Sequence, residues 1–412
     1  MKHIVDGQVV LSRPPEGPLA TQIATFAKWA REQGYALQSR YRRVLLASGF
    51  SRWLGEQAVR LRLVSSEHPA RYLRSRARRV QVHEGDAAAL RQFLDFLRRH
   101  GVIPAEKISP RRLTPVEQET QAFERYLGDE RALARATRVN YVPFIRGFLI
   151  DRFGSGPVTL SRLCAGDVVR FVRRQAPRLH LKRAQLLTSA LRSFLHYARY
   201  RGDITLDLAA AVPPVANWSM TSIPRAIPED HVRRLLASIS RCTAMGRRDY
   251  AIVLLLARLG LRSSEVAFLE LEDIEWKAGQ VNVRGKGGQR TALPLSAEVG
   301  EAIAAYLRHG RPRSTSRRVF LRAKAPIGGL LGPSAIGSLV RQALTRAGVS
   351  APTTGAHQFR HALATQMLCQ GASLAEIGEV LRHRSPQTTT IYAKVDLEAL
   401  QTLALPWPGG VR

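Results

Sequence analysis

Near its end the chain carries "LRHRSPQTTTIYAKV", residues 381–395, which sets Tyr392 a short step after His383 and flanks it with Arg382, Arg384 and Lys394. A phenol has a pKa of about 10 and is a poor nucleophile at neutral pH unless positive charge and a base surround it. An activated tyrosine suits attack on a phosphodiester, giving a protein-linked phosphate and a free DNA hydroxyl. The aryl ester conserves the bond energy, so another strand's hydroxyl can reseal it without ATP. Two arginines would then neutralise the equatorial oxygens of the phosphorane in place of metal ions.

Three earlier stretches supply the groups such a reaction needs. In "LGLRSSEVAFLELEDI", Arg262 follows an apolar helix at a glycine-containing break and Glu265 opens the next helix, where it can fix the guanidinium or cap the turn. In "VNVRGKGGQRTALPL", Lys286 stands at a hairpin tip among three glycines, where a flexible backbone lets a lysine enter a groove and protonate a leaving oxygen. In "GAHQFRHALATQML", His357 and Arg360 lie three residues apart on one helix face, while Phe359 and Leu363 take another. His361 is expected to pack or bond locally, and with His357 it lacks the intervening glutamate of a zinc-protease helix, so no metal site is expected. Taken singly, a surface salt bridge to Glu265 explains Arg262 and a solvated turn explains Lys286.

Taken in order, Arg…Lys…His-x-x-Arg…His…Tyr resembles the tyrosine recombinases, also called phage integrases. "HQFRHALAT" is similar to that family's His-x-Leu-Arg-His box, and "LRHRSPQTTTIYAKV" to its Leu-Gly-His box and nucleophile segment. The resemblance implies that Tyr392 attacks the scissile phosphate to form a 3′-phosphotyrosine. Arg262 and Arg360 would hold the phosphate, Lys286 would protonate the 5′ leaving oxygen, His357 would act as general base toward Tyr392, and His383 would hydrogen-bond the phosphate. It implies no cofactor. Two positions depart from the pattern: Arg382 stands where a glycine is usual, and Phe359 where a leucine is. The same chemistry serves type IB topoisomerases, and a non-catalytic DNA-binding protein on this fold is the reading from another class.

The elements that must position these residues fall into three blocks, 1–110, 116–212 and 225–405, separated by "EKISPRRLTP" and "AVPPVANWSMTSIPRAIPED". The first two blocks look alike: "FAKWAREQGY" from Phe26 falls beside "FERYLGDERA" from Phe123, "ARYLRSR" from Ala70 beside "VRFVRRQ" from Val169, and "RQFLDFLRRHGVI" from Arg91 beside "RSFLHYARYRGDI" from Arg192. The offsets are 97, 99 and 101, so four amphipathic segments repeat almost in register. The expected fold is therefore mainly α: duplicated N-terminal helical DNA-binding domains, then a mostly helical catalytic domain with a small β-sheet. Within the third block, "GQVNVRG" and "QRTALPLS" read as two short strands, and Tyr392 as lying on a helix that starts at Ser-Pro. The 116–212 block is similar to the family's core-binding, SAM-like domain, with 1–110 its possible duplicate. The segment "VDLEALQTLAL" after Tyr392 has helical apolar spacing and would dock on its own domain or on a neighbouring subunit.

Composition points to the same partner. Lys+Arg number 63 against 32 Asp+Glu, a net charge of +31, and only eight of the cations are lysine. Arginine's planar fork suits pairs of phosphate oxygens, so a polyanion is the natural partner. Double-stranded DNA with inverted-repeat sites, a homo-tetramer on that DNA, and accessory or sister recombinases are the expected partners. Cys164, Cys242 and Cys369 show no metal-ligand spacing, which fits a reducing cytoplasm. The longest apolar run, "AIVLLLARLGL", is broken by Arg258 and too short to span a bilayer, and the N-terminus lacks a signal-peptide core. A cytoplasmic, nucleoid-associated protein with no membrane partner is expected.

Overall fold

The computed structural model describes residues 4–5, 8–9, 13–106, 113–215, 224–285 and 290–395, and most of them are helical. The chain divides into two compact units, residues 1–106 with 222–412, and residues 107–221.

Within the first unit, the two-residue strands β1 (Ile4–Val5) and β2 (Gln8–Val9) pair antiparallel and precede four helices: α1 (Ala20–Glu32), α2 (Leu37–Glu56), α3 (Glu67–Ala77) and α4 (Asp86–Arg99). The second unit holds α5 (Pro115–Asp129), α6 (Arg135–Phe153), α7 (Ala165–Gln175) and α8 (Leu181–Tyr200). A 3-10 turn separates the second helix from the third in both sets, Leu61–Leu63 in one and Leu160–Arg162 in the other. Thr114 starts α5, its hydroxyl accepting from the Glu117 N–H at 3.3 Å with Pro115 in the first helical position.

Each set closes on its own apolar core, and the aromatic residues of the two cores correspond. Phe26 lies 4.7 Å from Phe93 and 5.5 Å from Phe96; Phe123 lies 5.3 Å from Phe194 and 5.5 Å from Tyr197. Phe50 meets Tyr72 edge-on at 5.5 Å, and Phe148 meets Phe171 edge-on at 5.2 Å. Four of the five correspondences follow the offsets of the sequence repeat, and Phe50 falls one residue short of Phe148. Edge-to-face packing adds about 0.5–1.5 kcal/mol per pair beyond area burial, so its recurrence places the same side chains at the same core positions.

The remaining part of the first unit is built around α10 (Ala244–Arg258), preceded by α9 (Glu229–Ser238) and followed by α11 (Ser263–Ala267). Ala251, Ile252, Val253, Leu254, Leu255 and Leu256 are all buried, because helices cover α10 on every side. That enclosure explains the long apolar run as a central core helix. Among the described residues no helix is long and apolar enough to cross a membrane. Strands β3 (Ile274–Glu275), β4 (Gln280–Arg284) and β5 (Arg290–Pro294) form an antiparallel sheet in that order, with Val281 opposite Leu293 and Val283 opposite Thr291. Val281 and Val283 face the core in strict alternation with exposed Gln280 and Arg284. The alternation pattern predicts two strands here; the third, β3, is too short to show an alternation of its own. The chain then runs through α12 (Ala297–His309), α13 (Pro333–Arg346), α14 (His357–Cys369) and α15 (Leu374–Val380).

Tyr392 lies on 3-10 turns, Pro386–Thr388 and Thr390–Val395, rather than on the α-helix that the Ser-Pro start implied. The short run between Pro386 and Tyr392 offers too few i→i+4 partners for a stable α-helix, and the tighter winding satisfies the backbone over a single turn. Residues 396–405, the expected docking tail, lie outside the described residues.

Candidate active site

Gly260 turns the chain out of α10 with φ +56, a conformation that strains any side chain, and a Cβ there would sit 2.9 Å from Leu363 and 3.0 Å from Leu381. This break lets its carbonyl accept from Arg360 Nη1 at 2.7 Å. Arg360 rises from the first turn of α14, is 1% exposed, and donates its other terminal nitrogen to the Leu381 carbonyl. One residue later, the Arg382 carbonyl accepts from Arg262 Nη2 at 3.2 Å. Consecutive carbonyls after α15 thus anchor the two arginines that the sequence pairs as phosphate ligands.

Arg382 makes this possible in an unusual backbone state, φ +55. The left-handed region costs a non-glycine residue about 1–2 kcal/mol, which is why glycine suits the position. Here an ion pair offsets the strain. Arg382 Nη2 donates to Glu265 Oε2 at 2.9 Å, its side chain 8% exposed and that of Glu265 1%. The same carboxylate accepts from Arg262 Nη1 at 2.7 Å and from the Arg262 backbone N–H at 2.8 Å, fixing the start of α11. One buried carboxylate therefore holds two arginines beside a third.

Those charges set the local titration. Burial, then Arg262 and Arg382, lower the Arg360 pKa to about 10, still protonated at neutral pH. His383 is pushed down to about 4 by burial first and then by Arg360, Arg262, His357 and Arg382, so its imidazole is neutral at pH 7. Its Nδ1 lies 2.8 Å from Thr389 Oγ1. Because the folded pKa is depressed below the unfolded 6.5, the unfolded chain binds the proton first, and stability falls as pH drops from about 6.5 toward 4. His383→Gln, which cannot titrate, is expected to show a shallower loss of stability in that window by thermal unfolding. An unchanged pH profile would remove His383 as the source of that acid sensitivity.

Tyr392 is 2% exposed, packed with Ala364, Ile377 and Leu381. Burial raises its pKa, with Arg360 opposing. Its hydroxyl lies 3.0 Å from His361 Nδ1, with the rings edge-on at 5.7 Å. His361, expected to pack or bond locally, instead reaches the tyrosine. The available signal was its position one helical turn after His357 on the same face of α14. His357 is more exposed and meets the His361 ring edge-on at 4.5 Å.

The structure thus brings Arg262, Arg360, His383 and Tyr392 around the turn after α15, with His357 and His361 on the adjoining face of α14. Lys286 lies outside the described residues; the strands that carry it close at the Arg284–Arg290 pair.

Residues 225–398 match the phage integrase family. Across 409 residues, 99% of both chains, the sequence is 58% identical to y4rA of Sinorhizobium fredii, described as an integrase/recombinase. It is 30% identical over 309 residues to the tyrosine recombinase XerD of Mycobacterium tuberculosis, covering 71% of this chain and 96% of that one.

The chain belongs to the phage integrase family.

It is a tyrosine recombinase, an enzyme of DNA strand cleavage and religation. The fold is shared with solved members. XerH site-specific recombinase bound to a palindromic difH substrate, in a post-cleavage complex, gives a TM-score of 0.56 at 19% identity over 69% of this chain and 83% of that one. A lambda integrase dimer bound to a COC′ core site gives 0.51 at 17% identity over 67% and 94%. Within this recombinase, Arg382 and its hold on Glu265 mark the departure from the family's usual glycine.

Proposed function

We propose that this recombinase cuts and rejoins DNA at inverted-repeat sites through Tyr392, as a homo-tetramer working in the cytoplasm on a mobile element. The observation that carries the reading is the convergence of two carbonyl-anchored arginines, a neutral histidine and a tyrosine on one turn. Arg262 and Arg360 bind the scissile phosphate, and His383 donates a hydrogen bond to it. The resemblance makes His357 the general base toward Tyr392, and Lys286, between β4 and β5 in the sequence, protonates the departing 5′ oxygen. The test is covalent trapping on nicked duplexes selected from random DNA by the full-length protein. A DNA-linked species whose peptide carries phosphate on Tyr392 supports the reading; a linkage elsewhere, or none on specifically bound DNA, removes it.

In the same reading, residues 225–405 form the catalytic domain, 116–212 the core-binding domain, and 1–110 a duplicate of it that lengthens the DNA contact. Residues 1–110 carry 19 Lys+Arg against 9 Asp+Glu. Arg71 and Arg74 of α3 are exposed, as are Arg170 and Arg173 of α7 at the same offset of 99. Deleting residues 1–110 is expected to weaken DNA binding and flatten its salt dependence, by about 0.9 in log–log slope for each phosphate that the shortened protein no longer neutralises, while phosphotyrosine chemistry persists. An unchanged slope would separate the first block from the DNA.

A further inference from the structure

We propose that His361 is a catalytic residue, the acceptor of the Tyr392 proton. The proposal rests on the reading of Tyr392 as nucleophile and departs from the role that the resemblance gives His357.

The two histidines of α14 are one turn apart with their rings in contact, and His361 is the one bonded to the tyrosine. His361 Nδ1 lies 3.0 Å from the Tyr392 hydroxyl, within the reach a general base requires. His357 sits near enough to His383 to lower the latter's pKa, and its ring meets that of His361 edge-on at 4.5 Å. The tyrosine ring packs with Ala364, Ile377 and Leu381, and Arg360 is near enough to oppose the effect of burial. Burial there holds the phenol above its ordinary pKa, so very little is ionised at neutral pH and attack needs an acceptor already in contact. Both ends of the contact are fixed: His361 by the helix that also buries Arg360, and Tyr392 by its ring in the cluster.

In the step itself, the Tyr392 Oη–P bond forms as the P–O5′ bond breaks. The hydroxyl proton passes to His361 Nδ1, giving an imidazolium, and O5′ takes its proton from Lys286. Religation runs in reverse: the imidazolium returns its proton to the departing phenolate oxygen. For Nδ1 to accept, the resting tautomer carries its proton on Nε2.

The experiment compares adduct formation by full-length wild type, Tyr392→Phe, His361→Ala and His361→Asn. The probes are nicked duplexes selected by the full-length protein, with either an ordinary or a 5′-bridging sulfur leaving group. Asparagine presents an amide where Nδ1 stood, so it keeps a hydrogen bond but cannot take a proton. The expected result is that Ala and Asn both bind the duplex as wild type does and form adduct about 10²- to 10⁴-fold more slowly. The sulfur leaving group, which needs no acid, is expected to leave that deficit in place. Adduct formation by His361→Asn within about tenfold of wild type would reduce His361 to a positioning role and overturn the proposal. Restoration of His361→Ala by the sulfur substrate would overturn it too, by assigning the residue to the leaving group. Absence of adduct in wild type would remove the reading of Tyr392, and the proposal with it.

Discussion

Tyr392→Phe is expected to bind its DNA with wild-type affinity and to form no protein–DNA adduct. The hydroxyl contributes little to the fold and, in the proposed reaction, everything to the attack. The ring packs against Ala364, Ile377 and Leu381, and phenylalanine fills the same space. The loss is a single hydrogen bond to His361, worth about 1 kcal/mol net, against a domain stability of about 5–15 kcal/mol. The arginines are anchored by the carbonyls of Gly260, Leu381 and Arg382, none of which involves the phenol, so the phosphate site survives. Strand cleavage loses its nucleophile outright. Thr388, Thr389 and Thr390 are nearby hydroxyls, but the Thr389 hydroxyl is already 2.8 Å from His383 Nδ1. The measurement is a denaturing gel of wild type and variant on the same nicked duplex, with affinity checked by titration. An adduct in the variant would place the nucleophile elsewhere.

The residues that converge here were legible in the sequence because the resemblance rests on residue types in a fixed order. Arg262, Arg360, His383 and Tyr392 converge although up to 130 positions separate them. The likeness of the two four-helix sets was legible for a related reason. Apolar periodicity reports which side chains face a core, and the repeated offsets carried Phe26 and Phe93 onto Phe123 and Phe194, with Phe50 one residue short of Phe148. What the sequence hid was contact across the chain. Glu265 read as a partner for Arg262 three residues away, but nothing local showed that Arg382 shares the same carboxylate. His361 read as a residue that packs or bonds locally because the position of Tyr392 relative to α14 is set by the turn after α15, which has no periodicity to read. The positive φ at Arg382 had one signal, the glycine usual at that position, which the residue type itself argues against.

Glu265→Gln is expected to cost about 3 kcal/mol of stability and to slow cleavage by about 10²-fold or more. The carboxylate is buried and bonds two guanidiniums, at 2.7 Å to Arg262 and 2.9 Å to Arg382, beside buried Arg360. Glutamine keeps the volume and one acceptor but leaves three mutually repelling cations, two of them deeply buried, with no counter-charge. The cost sits at the low end of the range for broken buried pairs because the Arg262 side chain is 32% exposed and water screens it. The double variant Glu265→Gln/Arg382→Gly separates two roles of the carboxylate. Removing Arg382 takes away one orphaned charge and the left-handed strain, so about 1–2 kcal/mol should return in denaturant unfolding. The cleavage rate should not return with it, because Arg262 is still released from the carboxylate that aimed it. If stability and rate recover together, Glu265 acts by charge balance alone. If neither recovers, Arg382 and Glu265 are not energetically coupled, and their ion pair contributes nothing to this site.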